Sequence, residues 1–350
     1  MKIGDKKMDD YRNKMIACED EIKKSIIGID DIIRLVVTAV FSRGHILFDG
    51  LPGLAKTTLC FAVSRALGGA MVKFDGRPDF TPSQFLYVTE PDEEGNPKFY
   101  KGPLITKANV LTVTLLDEIT RFVSQAQAFW FEIMNEFRLT LPTQEIDLSH
   151  NRVFATKNKV TRGETFEIPQ PQLDRFMVNI ELSYPDEKSE KEIISNSEFD
   201  DPGKLVRRVN SVFENLSDLE EAVEGIQASV QMSPEMKNYL FNVILATRFP
   251  SRFGVKLEGI TDIDSLVDNR FNASGISPRG GAKWRRLAKI VALRRGADYV
   301  TPKDAIGIAY ETLCHRIFVN QRAAGDRNRA MLARDFLGAV LSKIEAPGNG

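Results

Sequence analysis

Residues 46–59 read ILFDGLPGLAKTTL, and the reading of this stretch decides the fold. Ile46 to Asp49 form a short apolar run of strand character, and Gly50, Leu51, Pro52 and Gly53 form a turn. Leu54 and Ala55 then lead into Lys56, Thr57 and Thr58, which open a helix expected to continue through Ala66. A strand, a Gly-rich loop and a helix start in this order leave several backbone N–H groups pointing into one concavity, with the positive end of the helix dipole behind them. A triphosphate fits such a cradle. Lys56 would reach its β- and γ-phosphates as a mobile cation, and the Thr57 hydroxyl would ligate Mg²⁺. The pattern G-x-x-x-x-G-K-[ST] has Ala55 at its second glycine, a departure of one methyl group, with Gly53 supplying backbone freedom nearby. The competing reading is an ordinary Gly-rich turn with a surface lysine.

Asp117-Glu118 weighs against that plain reading. The pair ends the apolar run VLTVTLL (110–116), whose composition marks a strand buried on both faces. In a doubly wound sheet the carboxyl ends of parallel strands open onto the ligand crevice. There Asp117 is suited to hold Mg²⁺ through water, and Glu118 to polarise a water for in-line attack on the γ-phosphorus. Asn158 lies just past the strand-like stretch Arg152–Thr156, one residue beyond Lys157. An amide there orients the attacking water or contacts the γ-phosphate without titrating; a turn asparagine is the bland alternative.

The 350 residues suffice for two domains, since single cores stop growing near ~250–300 residues. Lys+Arg (47) and Asp+Glu (48) nearly cancel, which argues against a generic polyanion binder. Three distant cysteines, Cys18, Cys60 and Cys314, fit a reducing compartment rather than a disulfide framework or a structural zinc site. No window approaches ~18 consecutive apolar residues and the N-terminus lacks a secretory core, so a cytoplasmic protein without a membrane span is expected.

Along the chain, residues 8–42 read as two helices broken near Gly28, and Ala70–Phe74 as a second strand. Hairpins are expected at Tyr87–Tyr100, with Glu93-Glu94-Gly95-Asn96 at the tip, and at Arg138–Leu141 with Glu145–Leu148. Ser124–Phe137 reads as a helix, Arg152–Thr156 as a fourth strand and Phe176–Leu182 as a fifth. Strands alternating with helices argue for a parallel sheet covered on both sides. Beyond Tyr184-Pro185 the chain reads as helices and loops, with capping Ser/Thr-Pro starts at Ser233-Pro234, Ser277-Pro278 and Thr301-Pro302.

These elements together resemble the MoxR group of AAA+ ATPases over residues 20–320. The resemblance rests on Ile27-Gly28, GHILFDGLPGLAKT (44–57), DGRPDFTPSQF (75–85), FYKGPL (99–104), LLDEITR (115–121), FATKN (154–158), PQPQLDRF (169–176), YP (184–185) and SGISPR (274–279). Ala55 is itself typical of that group. The resemblance implies an α/β AAA+ core with a five-stranded parallel sheet in the order 5-1-4-3-2 and two hairpin inserts facing a central pore or a partner. A smaller all-α lid would follow. The domains would then be 1–184 for the nucleotide-binding part, 185–322 for the lid and 323–350 for a C-terminal helix and flexible tail.

The resemblance also implies that Ile27 and Gly28 join residues 50–58 in binding ATP. Arg175 would be a finger reaching the γ-phosphate of a neighbouring subunit, and Arg279 a lid arginine reading the phosphates of its own. It implies a homo-oligomeric ring, expected to be a hexamer, that remodels a partner protein; in relatives that partner often carries a von Willebrand factor A domain. Thr120 in DEITR, Lys159 after Asn158 and the absence of an Asp-Gly turn in 143–151 depart from the group's pattern and bear on the partner-facing surfaces. Three rivals stand beside this reading. A GTPase needs Asn-Lys-x-Asp, whereas residues 158–161 read NKVT. A nucleic-acid motor would use the basic stretch 279–295, with Trp284 stacking a base; the plainer reading is a solvated lid helix with its apolar stripe, Trp284, Leu287, Ile290 and Val291, in the core. A non-hydrolysing scaffold would not need Glu118 and Arg175.

Overall fold

The structure, a computed structural model, describes residues 3–50, 53–92, 94–141, 144–157, 166–267 and 275–348. By contact density the chain forms two compact units. One comprises Asn13–Ile168 and Ile180–Ala222; the other comprises Met1–Arg12, Pro169–Asn179 and Val223–Gly350. No described helix is long and apolar enough to cross a membrane.

The strands are β1 (Ile46–Gly50), β2 (Ala70–Asp75), β3 (Tyr87–Pro91), β4 (Pro97–Lys101), β5 (Leu111–Asp117), β6 (Arg138–Leu141), β7 (Gln144–Asp147), β8 (Arg152–Lys157) and β9 (Val178–Leu182). Five of them form one sheet in the order β2-β5-β8-β1-β9, the 5-1-4-3-2 order of the AAA+ core read from the other edge. The pairs β1–β8, β2–β5 and β5–β8 are all parallel. Residues Leu111–Leu116 of β5, an internal strand, are all buried, as an apolar strand with both faces covered must be. Register brings Asp75 opposite Asp117 and Leu116 opposite Ala155, so the ends of β2, β5 and β8 arrive side by side.

The helix Lys56–Ala66 after β1 buries Leu59, Cys60, Ala62 and Val63. The helix Asp30–Val40 buries Ile33, Val36, Val37 and Val40 at helical spacing. The stretch 75–85 leads into a short helix, Pro82–Leu86, started by a capping box between Thr81 and Gln84. Its Phe80 and Phe85 pack with Phe74, Phe122 and Trp130 at ring-centroid distances down to 4.5 Å. Both hairpins form: β3 with β4 and β6 with β7, each antiparallel. Every residue of β3 and β4 is exposed, Phe99 by 71%.

In the second unit the three Ser/Thr-Pro starts behave as capping requires. Ser233 accepts from the Met236 amide, Ser277 from Gly280 and Thr301 from Asp304. Trp284 is fully buried in the helix Pro278–Arg294, and its Nε1 donates to the Ala305 carbonyl at 2.8 Å. That agrees with the lid-helix reading and leaves no exposed ring to stack a base: the apolar stripe of this helix is core, with Leu287 and Ile290 beside Trp284. The fifth strand begins at Val178 rather than Phe176. The Phe176 carbonyl is instead held by the side chains of Lys283 and Arg316.

All three cysteines are free; Cys18 and Cys60 are buried and Cys314 is half-buried. Burial pushes all three thiols up, Cys314 to about 12.

Candidate nucleotide site

The loop after β1 turns into its helix through Ala55, whose φ of +51° is left-handed, and Gly53 shares that hand at +84°. A left-handed alanine costs roughly 1–2 kcal/mol, the kind of local strain that collects at ligand-holding loops. Lys56 lies buried at the helix start, and its Nζ donates to the Gly50 carbonyl at 2.9 Å. Burial lowers the Lys56 pKa; Asp117, Asp49 and Glu118 oppose the shift, so the ammonium sits in an acidic field. Asp49 pairs with Lys157 at 3.0 Å, and its second carboxylate oxygen is buried with no hydrogen-bond partner among the described residues.

Across from this loop β5 ends in Asp117, and Glu118 turns away with a left-handed φ of +54°. Two groups hold this turn. Thr156 on β8 donates to Asp117 Oδ1 at 2.7 Å and accepts from the Glu118 amide at 2.8 Å, so one hydroxyl orders both acids. Gly76 after β2 donates its amide to the Asp117 carbonyl at 2.8 Å, and a Cβ placed there would stand 2.2 Å from the Glu118 carbonyl oxygen. Only glycine fits that approach. Lys73 lies 3.0 Å from Asp117 Oδ2, and Arg121 donates to Glu118 Oε2 at 2.8 Å.

Loop and acid pair face one cavity of about 620 Å³. Gly53, Leu54, Ala55, Lys56, Thr57 and Thr58 line one side, and Asp117 and Glu118 the other. Arg77 and Arg121 add two cations that the sequence reading did not assign. Their signal is position alone: Arg77 follows the glycine at the end of β2, and Arg121 lies one turn beyond Glu118. Among the described residues no cluster of three or more acidic, histidine or cysteine side chains can hold a metal by itself. The Thr57 hydroxyl and Asp117 are hard oxygen donors. They suit Mg²⁺, which is held by one or two protein oxygens together with phosphates.

Other expected residues fall elsewhere. Ile27 and Gly28 do not line the cavity; Gly28, at φ +78°, packs so closely on Pro185 and Ser189 that a Cβ would stand 2.6 Å from the Ser189 Cβ. Leu51, Pro52, Glu93, Asn158 and Lys159 lie outside the described residues. Arg175 and Arg279 belong to the second unit. There the Arg175 guanidinium is driven below its usual pKa by burial and by Arg279, and its Nη1 donates to the Pro171 carbonyl at 3.3 Å.

Residues 45–178 match the family described as ATPase family associated with various cellular activities (AAA), and residues 268–334 match the AAA lid domain. Protein MoxR of Methylorubrum extorquens is 32% identical over 348 residues, covering 99% of each chain. The chain belongs to the MoxR family of AAA+ ATPases. Chaperone MoxR1 of Mycobacterium tuberculosis is 29% identical over 87% of this chain and 76% of its own length. A crystal structure from Cytophaga hutchinsonii, of a protein taken to be an ATPase, matches with a TM-score of 0.81 at 28% identity, over 98% of this chain and 97% of that one. Physical roles can be given to the MoxR-like segments. DGRPDFTPSQF sets Gly76 against the acid turn and anchors the loop through Phe80 and Phe85. FATKN supplies Thr156.

Proposed function

We propose that this MoxR protein is a Mg²⁺-dependent ATPase that works in the cytoplasm as a ring, a hexamer, to remodel a partner protein. The observation that carries the reading is the cavity with Lys56 on one wall and Asp117-Glu118 on the other. Lys56 leaves the Gly50 carbonyl and binds the β- and γ-phosphates, while residues 50–58 supply backbone donors. Thr57 and Asp117 would hold Mg²⁺, which would supply neutralisation of the phosphate charge. Glu118 accepts a proton from the attacking water, its carboxylate aimed by the Thr156-braced turn. Asn158 orients that water, Arg279 reads the phosphates of its own subunit, and Arg175 stabilises the transition state in the neighbouring one, which ties turnover to assembly. The moving part is the lid, 185–322. The name of the mycobacterial relative supports a chaperone role, and a protein with a von Willebrand factor A domain is the partner class we propose. Burial of Trp284 leaves the rival nucleic-acid motor without that ring as a base platform.

Glu118→Gln tests the reading: MgATP binding is retained and turnover falls by at least ~10². A steady-state rate near that of the wild type rejects Glu118 as the base. The ATP-locked variant is also the bait for the partner; capture of nucleic acid that survives moderate salt argues for the motor instead.

A further inference from the structure

The segment that carries Arg175 is gripped from one helix of its own unit. Lys283 Nζ donates to the carbonyls of Asp174, of Arg175 at 2.6 Å and of Phe176 at 3.4 Å. Three acceptors on consecutive residues match the three N–H bonds of an ammonium. The Asp174 carboxylate is held on both oxygens, by Arg316 Nε at 2.7 Å and by the Ser277 hydroxyl at 2.8 Å. Arg316 is buried and also donates to the carbonyls of Phe176 and of Met177, the latter at 3.4 Å. Ser277 is in turn the N-cap of the helix Pro278–Arg294 and accepts from the Gly280 amide at 2.9 Å.

Arg279 therefore lies between two attachments, Ser277 before it and Lys283 one turn after it on the same face. A lysine whose charge is disfavoured by burial and by three nearby arginines, Arg316, Arg279 and Arg175, is a costly way to pack a helix. An apolar side chain would fill the space more cheaply but would remove all three of these hydrogen bonds, with Arg316 still donating to the Asp174 and Phe176 carbonyls.

We propose that Lys283 is a positioning residue for Arg175: it fixes the finger to the helix turn that bears Arg279, so that movement of this helix with nucleotide state is passed to the finger offered to the next subunit. The inference rests on the trans-finger reading above. Lys283 itself touches neither the nucleotide nor the reacting atoms.

The test is steady-state hydrolysis of MgATP by the assembled full-length protein. Lys283→Met is expected to lower kcat ~10- to 100-fold with KM for ATP little changed, because a finger misplaced by about 1 Å loses transition-state contact only. Lys283→Arg, whose guanidinium still donates to several carbonyls, restores most of the rate. Mixing separates position from folding. Lys283→Met subunits have a sound site and a poor finger, whereas Glu118→Gln subunits have a dead site and a sound finger, so mixed rings regain activity. Mixing Lys283→Met with Arg175→Ala subunits, both poor in the finger, gives no gain.

Wild-type turnover by Lys283→Met, while Arg175→Ala is inactive, overturns the clamp alone. Near-normal turnover by Arg175→Ala overturns the finger reading beneath it. Loss of ATP affinity in Lys283→Met, or no rescue by Glu118→Gln in verified mixed rings, reduces Lys283 to a packing role and also overturns the proposal. If Lys283→Met does not fold, Lys283→Gln, which keeps part of the donor set, must show the same pattern at smaller amplitude. A wild-type rate for that variant rejects the proposal.

Discussion

Replacing Glu220 by glutamine removes the anion of a buried network at the amino-terminal end of β8. Arg152 has no exposed side-chain surface and donates to Glu220 Oε1 at 2.8 Å; Arg43 pairs with the other oxygen, and His150 Nδ1 lies 3.6 Å away. Burial alone would raise the Glu220 pKa, but His150, Arg152 and Arg43 outweigh it and hold the carboxyl at about 2, against an ordinary 4.5. At ~1.4 kcal/mol per tenfold in proton affinity, this depression favours the folded chain by about 3 kcal/mol at neutral pH. Because the folded value is depressed, the contribution is complete above the unfolded value of 4.5 and is lost as pH falls through the folded value near 2. Glu220→Gln should thus cost about 3 kcal/mol at pH 7 and roughly half that near pH 3. Of the two tryptophans, Trp130 lies in the same compact unit as Glu220 and Trp284 in the other. Urea unfolding followed by Trp130 fluorescence in a Trp284→Phe background therefore reports the affected unit. A penalty below ~1 kcal/mol at pH 7, or one that stays constant down to pH 3, refutes the assignment of this stability to the Glu220 charge.

Gly76→Ala places a methyl group against the Glu118 carbonyl; the acid turn must shift, and turnover should fall at least ~10-fold with the melting temperature little changed. Thr156→Val removes the hydroxyl that orders both acids. We expect a drop in kcat of roughly 10-fold and a smaller effect on nucleotide affinity, read by comparing kcat with KM. Phe85→Ala empties the centre of the aromatic cluster and should cost about 3–5 kcal/mol in urea unfolding.

What was legible in the sequence was local. The phosphate loop announces itself because cradle, cation and hydroxyl are consecutive, and β5 because a largely apolar run, VLTVTLL, ends in two acids. The Ser/Thr-Pro caps were legible for the same reason: donor and acceptor lie within one turn. What escaped depends on partners far apart in the chain. Thr156 is unremarked in FATKN until register sets β8 beside β5 and carries its hydroxyl to Asp117. Gly76 gains its meaning only from the Glu118 carbonyl it must approach. Lys283 reads as one more cation on a basic helix, and the carbonyls that it grips lie more than a hundred residues earlier. The inward stripe of that helix was legible, because Trp284, Leu287 and Ile290 recur at helical spacing among its cations.

The cysteine chemistry has a practical consequence. Thiolates, not thiols, attack maleimides, and all three native thiols are held protonated well above neutral pH. The wild-type chain thus offers a quiet background for fluorophore attachment. A single cysteine introduced at exposed Phe99 would take a dye selectively, and donor- and acceptor-labelled batches would then report subunit exchange by energy transfer before any activity is measured.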